Sequence, residues 1–345
     1  MRLGPTRTGS PAGGPGPDPD GPSAPGSDGD PQGRPSRPVA APTGDADYDA
    51  LRFGVGAFRP GRDVLAAAGP DAVSYLQGQC SNDVEALAEG ASLEALLLSP
   101  QGRLDALVRV TRTAPDRFVV DSEAGTGPVV LARLQRFRLR TRVEFEPLGW
   151  TCLSLRGPAA GDVAVPDRPD VLRLAVTGPG PAGFDLLGSE PTVDGDVLEV
   201  AEAAWEAVRI ESGIPGAGRE LTGSTIAAEA GLVDRTVSFT KGCYTGQELV
   251  ARLDARGSNV ARRLRGLVVT AAGPDDLPPV GSVVRTADGE HEVGKLTSVA
   301  WSPLLGAVAL ATVHRRVVPP GEVVVVRADG GAEVTAEVRD LPLVD

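Results

Sequence analysis

The sequence has few of the residues from which disulfide frameworks, metal sites and nucleic-acid platforms are usually built. Its 345 residues include two histidines and three well-separated cysteines, Cys80, Cys152 and Cys243. This odd, scattered set fits neither a disulfide framework nor a histidine-based metal cluster. Aromatic residues make up only 4% of the chain, and the net charge of −12 opposes binding to phosphate backbones. A dedicated nucleic-acid-binding protein is therefore disfavoured.

Long apolar segments are also missing. No run approaches the roughly 20 residues that a membrane helix needs, and the N-terminus lacks the apolar segment of a secretory signal. Cysteines without a Cys-x-x-Cys pair are simplest to reconcile with a reducing compartment. We therefore expect a cytoplasmic protein with no membrane partner, and we expect Cys80 and Cys152 to be structural.

The first 46 residues differ in composition from the rest. Glycine and proline account for 21 of the first 44 residues, and the first aromatic residue is Tyr48. Such a segment cannot bury enough apolar surface to offset the entropy lost on ordering. We predict a disordered Pro/Gly-rich tail over residues 1–46.

Residues 47–260 have the pattern of a mixed α+β region. Short apolar stretches typical of strands alternate with helical stretches near 69–79 and 127–136. The clearest predicted helix is Asp196–Ser212, where apolar residues recur at helical spacing. Trp205 lies on this helix, and we expect it to pack in the core.

Residues 261–345 have a different, all-β texture. Six short apolar stretches are separated by glycine, proline and aspartate, which predicts a small closed barrel as a C-terminal domain. The predicted strands lie near 264–270, 282–286, 292–299, 306–313, 322–327 and 333–338.

The most distinctive segment is the signature loop, residues 241–252, which reads Lys-Gly-Cys-Tyr-Thr-Gly-Gln-Glu-Leu-Val-Ala-Arg. Its glycines allow positive φ or close approach to a ligand, and a lysine beside Cys243 would favour the thiolate. Physical chemistry alone leaves two interpretations open, a reactive thiol or a tight loop around a small buried cysteine.

The signature loop resembles that of the YgfZ family, whose members are similar to the aminomethyltransferase of glycine cleavage. Three further segments match the family in the same order along the chain, and the resemblance extends from about residue 50 to the end. These segments are Ala68–Val84, Ser99–Asp105 and Arg209–Pro215. The resemblance implies an α+β fold like that of the aminomethyltransferase. This is a three-part ring, in which an interrupted N-terminal α+β domain and a ferredoxin-like domain are followed by the C-terminal barrel.

The resemblance also implies a bound tetrahydrofolate or folate derivative, with Glu211 holding the pterin. Independently, Glu211 follows Ala204, Ala207 and Val208 on the apolar stripe of the predicted helix, so it should point inward. A carboxylate buried near a helix C-terminus is disfavoured by both burial and the helix dipole, so it needs a partner. The open alternatives are an internal salt bridge with an arginine and the planar donor pair of a pterin.

Further site residues are carried over from the family. We expect Lys241, Tyr244, Gln247 and Arg252 to contribute to folate binding, and Cys243 to act as a transient ligand or an attacking thiol. Asp105 is the candidate acid beside the folate. The aminomethyltransferase pattern has paired aspartates there, whereas this chain has Asp105 followed by Ala106. Aminomethyl transfer is therefore in doubt, and Asp105 is equally compatible with an ordinary hairpin residue.

The stretch Phe137–Phe145 alternates apolar residues with arginines and predicts a strand. Arg136, Arg138, Arg140 and Arg142 would be a solvated face, a wall that attracts the glutamate tail of folate, or a contact for tRNA or an acidic protein. Direct tRNA contact ranks last, because the interleaved aromatics of single-strand binders are missing.

Three functions follow from these observations. The first is a folate-binding accessory protein that supports iron–sulfur cluster assembly or repair, and through it tRNA-modifying and other iron–sulfur enzymes. Its partners would be iron–sulfur proteins or assembly factors. The second is a folate-dependent one-carbon transferase or demethylase, and the third is a scaffold that has lost its folate pocket.

Overall fold

The structure, a computed structural model, describes residues 42–345 except Ser258, Val318 and Asp329. The predicted disordered tail lies almost entirely outside the described residues. Helices in chain order are α1 (Ala46–Phe53), α2 (Ala72–Gln79), α3 (Gly127–Arg136), α4 (Glu202–Ser212), α5 (Val233–Thr236) and α6 (Gln247–Asp254). Strands in the α+β region are β1 (Gly56–Phe58), β2 (Arg62–Ala68), β3 (Ser92–Leu98), β4 (Leu104–Ala114), β5 (Arg117–Glu123), β6 (Glu144–Leu148), β7 (Thr151–Arg156), β8 (Val171–Ala175), β9 (Gly183–Gly188) and β10 (Leu198–Glu199). Strands that follow α6 are β11 (Arg262–Val269), β12 (Val283–Thr286), β13 (Glu292–Ser302), β14 (Gly306–His314), β15 (Val323–Arg327) and β16 (Glu333–Arg339).

The ten strands of the α+β region form two five-stranded sheets. The first sheet has the order β3-β4-β5-β2-β6 and the second has the order β10-β1-β7-β9-β8. Helices α2 and α3 cover one face of the first sheet, where Leu76, Val130 and Leu134 pack against its buried residues. The face of the first sheet that α2 and α3 leave uncovered approaches the second sheet. The candidate site lies between the two sheets.

The C-terminal strands close into a barrel with the order β11-β14-β13-β12-β15-β16, which confirms the predicted barrel. The barrel interior is filled by small and branched apolar side chains such as Val284, Ala309 and Val324. Helix α4 packs on the outside of the barrel through Ala207 and Ile210. The barrel therefore holds the helix that forms one wall of the candidate site.

Two predicted elements were wrong in extent. Phe137–Phe145 is not a strand, because α3 ends at Arg136, Arg140 has φ +59°, and β6 begins only at Glu144. A residue in the left-handed region cannot continue an extended strand. The helix predicted over Asp196–Ser212 begins at Glu202, because Leu198 and Glu199 pair with β1 instead.

Candidate functional site

A cavity of about 640 Å³ lies between the two five-stranded sheets and one face of α4. We call it the central cavity. Its wall includes Asp105 and Arg109 from β4, Asp185 from β9, and Trp205 and Arg209 from α4. Pockets of roughly 300–1,000 Å³ are typical for small ligands and cofactors, so the cavity is large enough for one such molecule.

A chain of buried ion pairs joins the two sheets at the cavity wall. Arg109 and Asp121 are directly opposite each other on β4 and β5, so their side chains share one face of the first sheet. Arg109 Nε donates to Asp121 at 2.9 Å, and its Nη1 donates to Asp185 of the second sheet at 2.6 Å. Asp185 in turn lies opposite Ser154 on β7, whose hydroxyl donates to it at 2.7 Å.

Two more arginines complete this network. Arg62 donates to Asp121 at 2.9 Å and Arg156 donates to Asp185 at 2.9 Å. Burial on its own would raise the pKa of Asp185, but Arg156 and Arg109 overcome that effect and hold it well below its usual range. The cluster therefore sets three arginines against two aspartates.

The network leaves two donors without a partner in the described part of the chain. Arg109 Nη2 and Arg62 Nε are buried and make no hydrogen bond there. Both arginines belong to the cavity wall. A buried donor without an acceptor is costly, by roughly 1–3 kcal/mol, so this wall suits a ligand that brings acceptor atoms.

An aromatic platform forms another part of the wall. Phe58 and Trp205 are stacked with ring centroids 4.3 Å apart and an interplanar angle of 26°. Arg156 lies 5.8 Å from the centroid of Phe58 and 5.9 Å from that of Trp205. Trp205 therefore packs as expected but also lines the cavity, which its place among alanines on α4 did not indicate.

Asp105 projects from β4 into the cavity wall and is partly accessible, with 28% of its side chain exposed. Its Oδ2 accepts from Arg133 Nε of α3 at 3.1 Å. Burial lowers the pKa of Arg133 and Asp105 partly restores it. The predicted acid thus stands at the cavity, paired with a buried arginine.

Glu211 lies on the other side of α4. Cavity-lining Glu202, Trp205, Glu206 and Arg209 follow i, i+3, i+4, i+7 spacing, which places them on one stripe of the helix. Residue 211 is two positions beyond that stripe and does not line the cavity.

Glu211 is fully buried against α1. Its carboxylate pairs with Arg52 and accepts from the Tyr48 hydroxyl at 3.0 and 3.2 Å. Burial, followed by the charge of Glu211, raises the pKa of Tyr48 far above its ordinary range. Of the two alternatives open for Glu211, the structure contains the internal salt bridge.

The signature loop forms a separate site outside the cavity wall. Lys241 Nζ donates to the carbonyl oxygens of Gln77, Cys80 and Asn82 at 2.6, 2.7 and 2.8 Å. These carbonyls stand at the C-terminal end of α2, where a cation is favoured. Burial lowers the pKa of Lys241. The ammonium is therefore directed into the helix end.

The remaining predicted residues of the loop have different environments. Tyr244 is buried with its ring 5.2 Å from Lys241 Nζ, and burial raises its pKa to about 12. Gln247 Oε1 accepts from the backbone amide of Tyr244 at 3.1 Å. Cys243 and Arg252 are exposed. The structure thus brings the loop residues together, but separately from Asp105 and Glu211, and none of them lines the cavity.

The other predicted residues are placed as follows. Cys80 and Cys152 are buried, and burial raises the pKa of each thiol to about 12. In residues 42–345, apart from the three omitted positions, no group of three or more His, Cys, Asp or Glu side chains is arranged to hold a metal ion. No helix in this described part is both long and apolar enough to cross a membrane.

Comparison with known proteins identifies this architecture. Residues 46–166 match the family model described as the GCVT N-terminal domain, and residues 262–345 match the glycine cleavage T-protein C-terminal barrel domain. The crystal structure of the glycine cleavage system aminomethyltransferase T from Bartonella henselae superposes with a TM-score of 0.74 at 23% identity, covering 86% of this chain and 88% of that one. The fold is that of the aminomethyltransferase class, which confirms the predicted fold.

Sequence relatives indicate which family within this fold class the chain resembles. The tRNA-modifying protein YgfZ of Pectobacterium carotovorum is 27% identical over 293 residues, covering 78% of this chain and 86% of the relative. The iron–sulfur cluster assembly factor IBA57 homolog, mitochondrial, of Neurospora crassa is 25% identical over 247 residues, which cover 64% of this chain and 55% of that relative. The chain belongs to the YgfZ family, as its four motifs predicted.

Proposed function

We propose that this protein binds a reduced folate in the central cavity and acts as an accessory factor in iron–sulfur cluster assembly or repair. The observation that carries the proposal is the cavity itself, because it combines an aromatic platform, an acid and unpartnered buried donors in a space of about 640 Å³. Relatives named for iron–sulfur cluster assembly and tRNA modification support the second half.

The residues of the cavity fit a folate. The Trp205 ring, stacked on the buried Phe58, offers a flat apolar surface for a planar ring, since aromatic stacking and burial suit heteroaromatic ligands. Asp105 is an acceptor for ring or amine N–H groups, while Arg62 and Arg109 suit carbonyl or carboxylate oxygens. We assign folate binding to these residues, and to Glu211 the docking of α1 onto α4.

The cluster-related role is assigned to the exposed signature loop. Cys243 is exposed, and Phe239 nearby exposes 52% of its surface. An exposed thiol and an exposed aromatic ring four positions apart in the sequence suit contact with another protein. Iron–sulfur clusters need about four thiolate-type ligands, so a cluster held through Cys243 would take its remaining ligands from the partner.

Calorimetry with tetrahydrofolate tests the proposed folate binding. We expect binding to the wild-type chain and roughly tenfold or greater weakening in Trp205→Leu, because a stacked base is worth about 1–3 kcal/mol. Trp150→Leu is the matched control, since Trp150 packs against a different apolar cluster and does not line the cavity. No binding by the wild type, or equal affinities of the two variants, would refute folate binding at this platform.

A cellular assay tests the proposed role in iron–sulfur cluster assembly or repair. In cells that lack the protein, the wild-type chain should restore the activity of an iron–sulfur enzyme, and Cys243→Ala should not. Thr240→Ala, an exposed change in the same segment, should restore it fully. Full rescue by Cys243→Ala would remove the thiol from the proposed role.

Asp105 favours a second candidate function, a folate-dependent one-carbon transferase or demethylase, because it is an acid of the cavity wall that remains partly accessible. Turnover of a methylamine donor with tetrahydrofolate, lost in Asp105→Asn, would support this activity. Tetrahydrofolate binding without turnover would favour the accessory role.

A further inference from the structure

We propose that the last turn of α2 positions Cys243, with Lys241 fixing the thiol's loop to that turn and Arg133 fixing the turn to Asp105, so that the cavity and the thiol are coupled. The coupling rests on the proposed folate binding, whereas the positioning by Lys241 does not. Both arginine and lysine would act through other groups, and we regard them as positioning residues.

The contact with Lys241 has a specific geometry. Three carbonyl oxygens converge on one nitrogen within 2.6–2.8 Å, and a lysine ammonium has three donors on a single nitrogen to match them. No single nitrogen of the planar guanidinium of arginine carries three donors. Lys241 is one of only two lysines in the chain, the other being Lys295.

A second contact ties the loop to the same turn. The amide of Thr245 donates to the carbonyl of Gly78 at 3.2 Å. The last carbonyls of a helix have no partner within the helix, and here the loop supplies donors to Gln77 and Gly78. Both donors flank Cys243 in sequence, so the position of the exposed thiol depends on the end of α2.

Arg133, on α3, contacts both the last turn of α2 and Asp105 of the cavity wall. Its Nη1 donates to Gln79 Oε1 at 2.8 Å, and its Nε donates to Asp105 at 3.1 Å. Its Nη2 donates to the carbonyl of Leu98 at 3.0 Å. Arg133 is buried, and its guanidinium carbon lies 4.2 Å from the ring centroid of Phe137. Each of the three guanidinium nitrogens makes a hydrogen bond, so Arg133 links Asp105 directly to Gln79.

These contacts form a continuous path from Asp105 through Arg133 and Gln79 to the turn that holds Lys241. A ligand that hydrogen-bonds to the Asp105 carboxylate would share it with Arg133, whose Nε contacts Oδ2. Contiguous polar networks of this kind carry coupling between sites when both ends bias the same element. Occupancy of the cavity is therefore expected to change the accessibility of Cys243.

The rate at which Cys243 reacts with a disulfide reagent such as DTNB reports on its positioning, since Cys80 and Cys152 are buried. In the full-length chain we expect Lys241→Met to change the rate by about tenfold, the effect of losing charge-assisted hydrogen bonds. Lys241→Arg should behave like Lys241→Met, and Lys295→Met like the wild type. The Cys243→Ser variant lacks this thiol and so shows which part of the DTNB reaction belongs to Cys243.

Coupling is tested with 5-formyltetrahydrofolate, a stable reduced folate free of thiols. Saturating ligand should change the Cys243 rate about fivefold or more, within the usual range of coupling. Arg133→Met and Gln79→Ala should remove this response, whereas Arg136→Met, an exposed arginine on the same helix, should keep it. Two variants guard against one that fails to fold, which circular dichroism would show.

Calorimetry with the same ligand separates the proposed coupling from the proposed folate binding. Binding without any change in the Cys243 rate would overturn the coupling while leaving the folate site intact. No binding would refute the proposed folate site, and the Lys241 variants would still decide the positioning. Equal rates for the wild type and a folded Lys241→Met variant would overturn the positioning.

Discussion

Gly102 and Gly246 lie against each other, although 143 positions separate them in the sequence. Both have positive φ, +76° and +84°. A Cβ on Gly102 would stand 3.1 Å from the carbonyl oxygen of Gly246, and one on Gly246 would stand 2.5 Å from that of Ser99. The hairpin turn and the signature loop are therefore one packed unit, which explains why each has glycine where it does.

Gly246→Ala is predicted to be strongly destabilising. The left-handed conformation costs an alanine about 1–2 kcal/mol, and the clash with backbone adds about 1–3 kcal/mol. Gly90→Ala is the matched control, because Gly90 has φ +79° but open space around its Cα. Urea denaturation should show a clearly larger loss for Gly246→Ala, and equal losses would mean that close packing contributes nothing.

Glu211→Gln should lower stability but leave folate affinity unchanged. The substitution weakens a fully buried pair with Arg52, and breaking such pairs costs about 3–5 kcal/mol. The free energy of unfolding and the calorimetric affinity for tetrahydrofolate are the two measurements. A stable variant that binds folate much more weakly would instead support the resemblance-based hypothesis that Glu211 holds the pterin.

Arg109→Met should destabilise the association of the two sheets. Asp121 and Asp185 would keep Arg62 and Arg156 as partners, so we expect roughly 3 kcal/mol, the lower end for a broken buried pair. Arg117→Met changes an exposed arginine on β5 and should stay within about 0.5 kcal/mol of the wild type. Similar values for both variants in urea denaturation would contradict a stabilising role for the network.

The sequence predicted the elements whose periodicity reflects burial and the motifs that the family shares. The barrel strands were found in this way, since each contains a short apolar stretch between turn residues. The stretch Phe137–Phe145 misled, because alternation also arises in an exposed loop whose apolar residue points outward. Leu139 is 79% exposed there.

The candidate site was predictable only in part. Asp105 and the signature loop stand in recognisable motifs, but Arg109, Asp121 and Asp185 are single charged residues in separate strands. Their meeting depends on strand register and on how the two sheets face each other, which local sequence does not encode. For Glu211, helical periodicity gave the buried face correctly, yet it could not tell which neighbour covers that face.

Alkaline pH should destabilise the fold through its buried thiols. Burial raises the pKa of Cys80 from 9.0 to about 12, so above pH 9.0 the unfolded chain loses this proton while the folded chain keeps it. The folded state then binds more protons, and stability falls as pH rises, by about 1.4 kcal/mol per pH unit for such a group.

Cys80→Ala removes this contribution. Its stability relative to the wild type should be constant below pH 8 and should rise from pH 9 to 11 in urea denaturation. Cys243→Ser, which changes the exposed thiol, serves as the comparison, and parallel profiles for Cys80→Ala and the wild type would show that the Cys80 thiol titrates alike in both states.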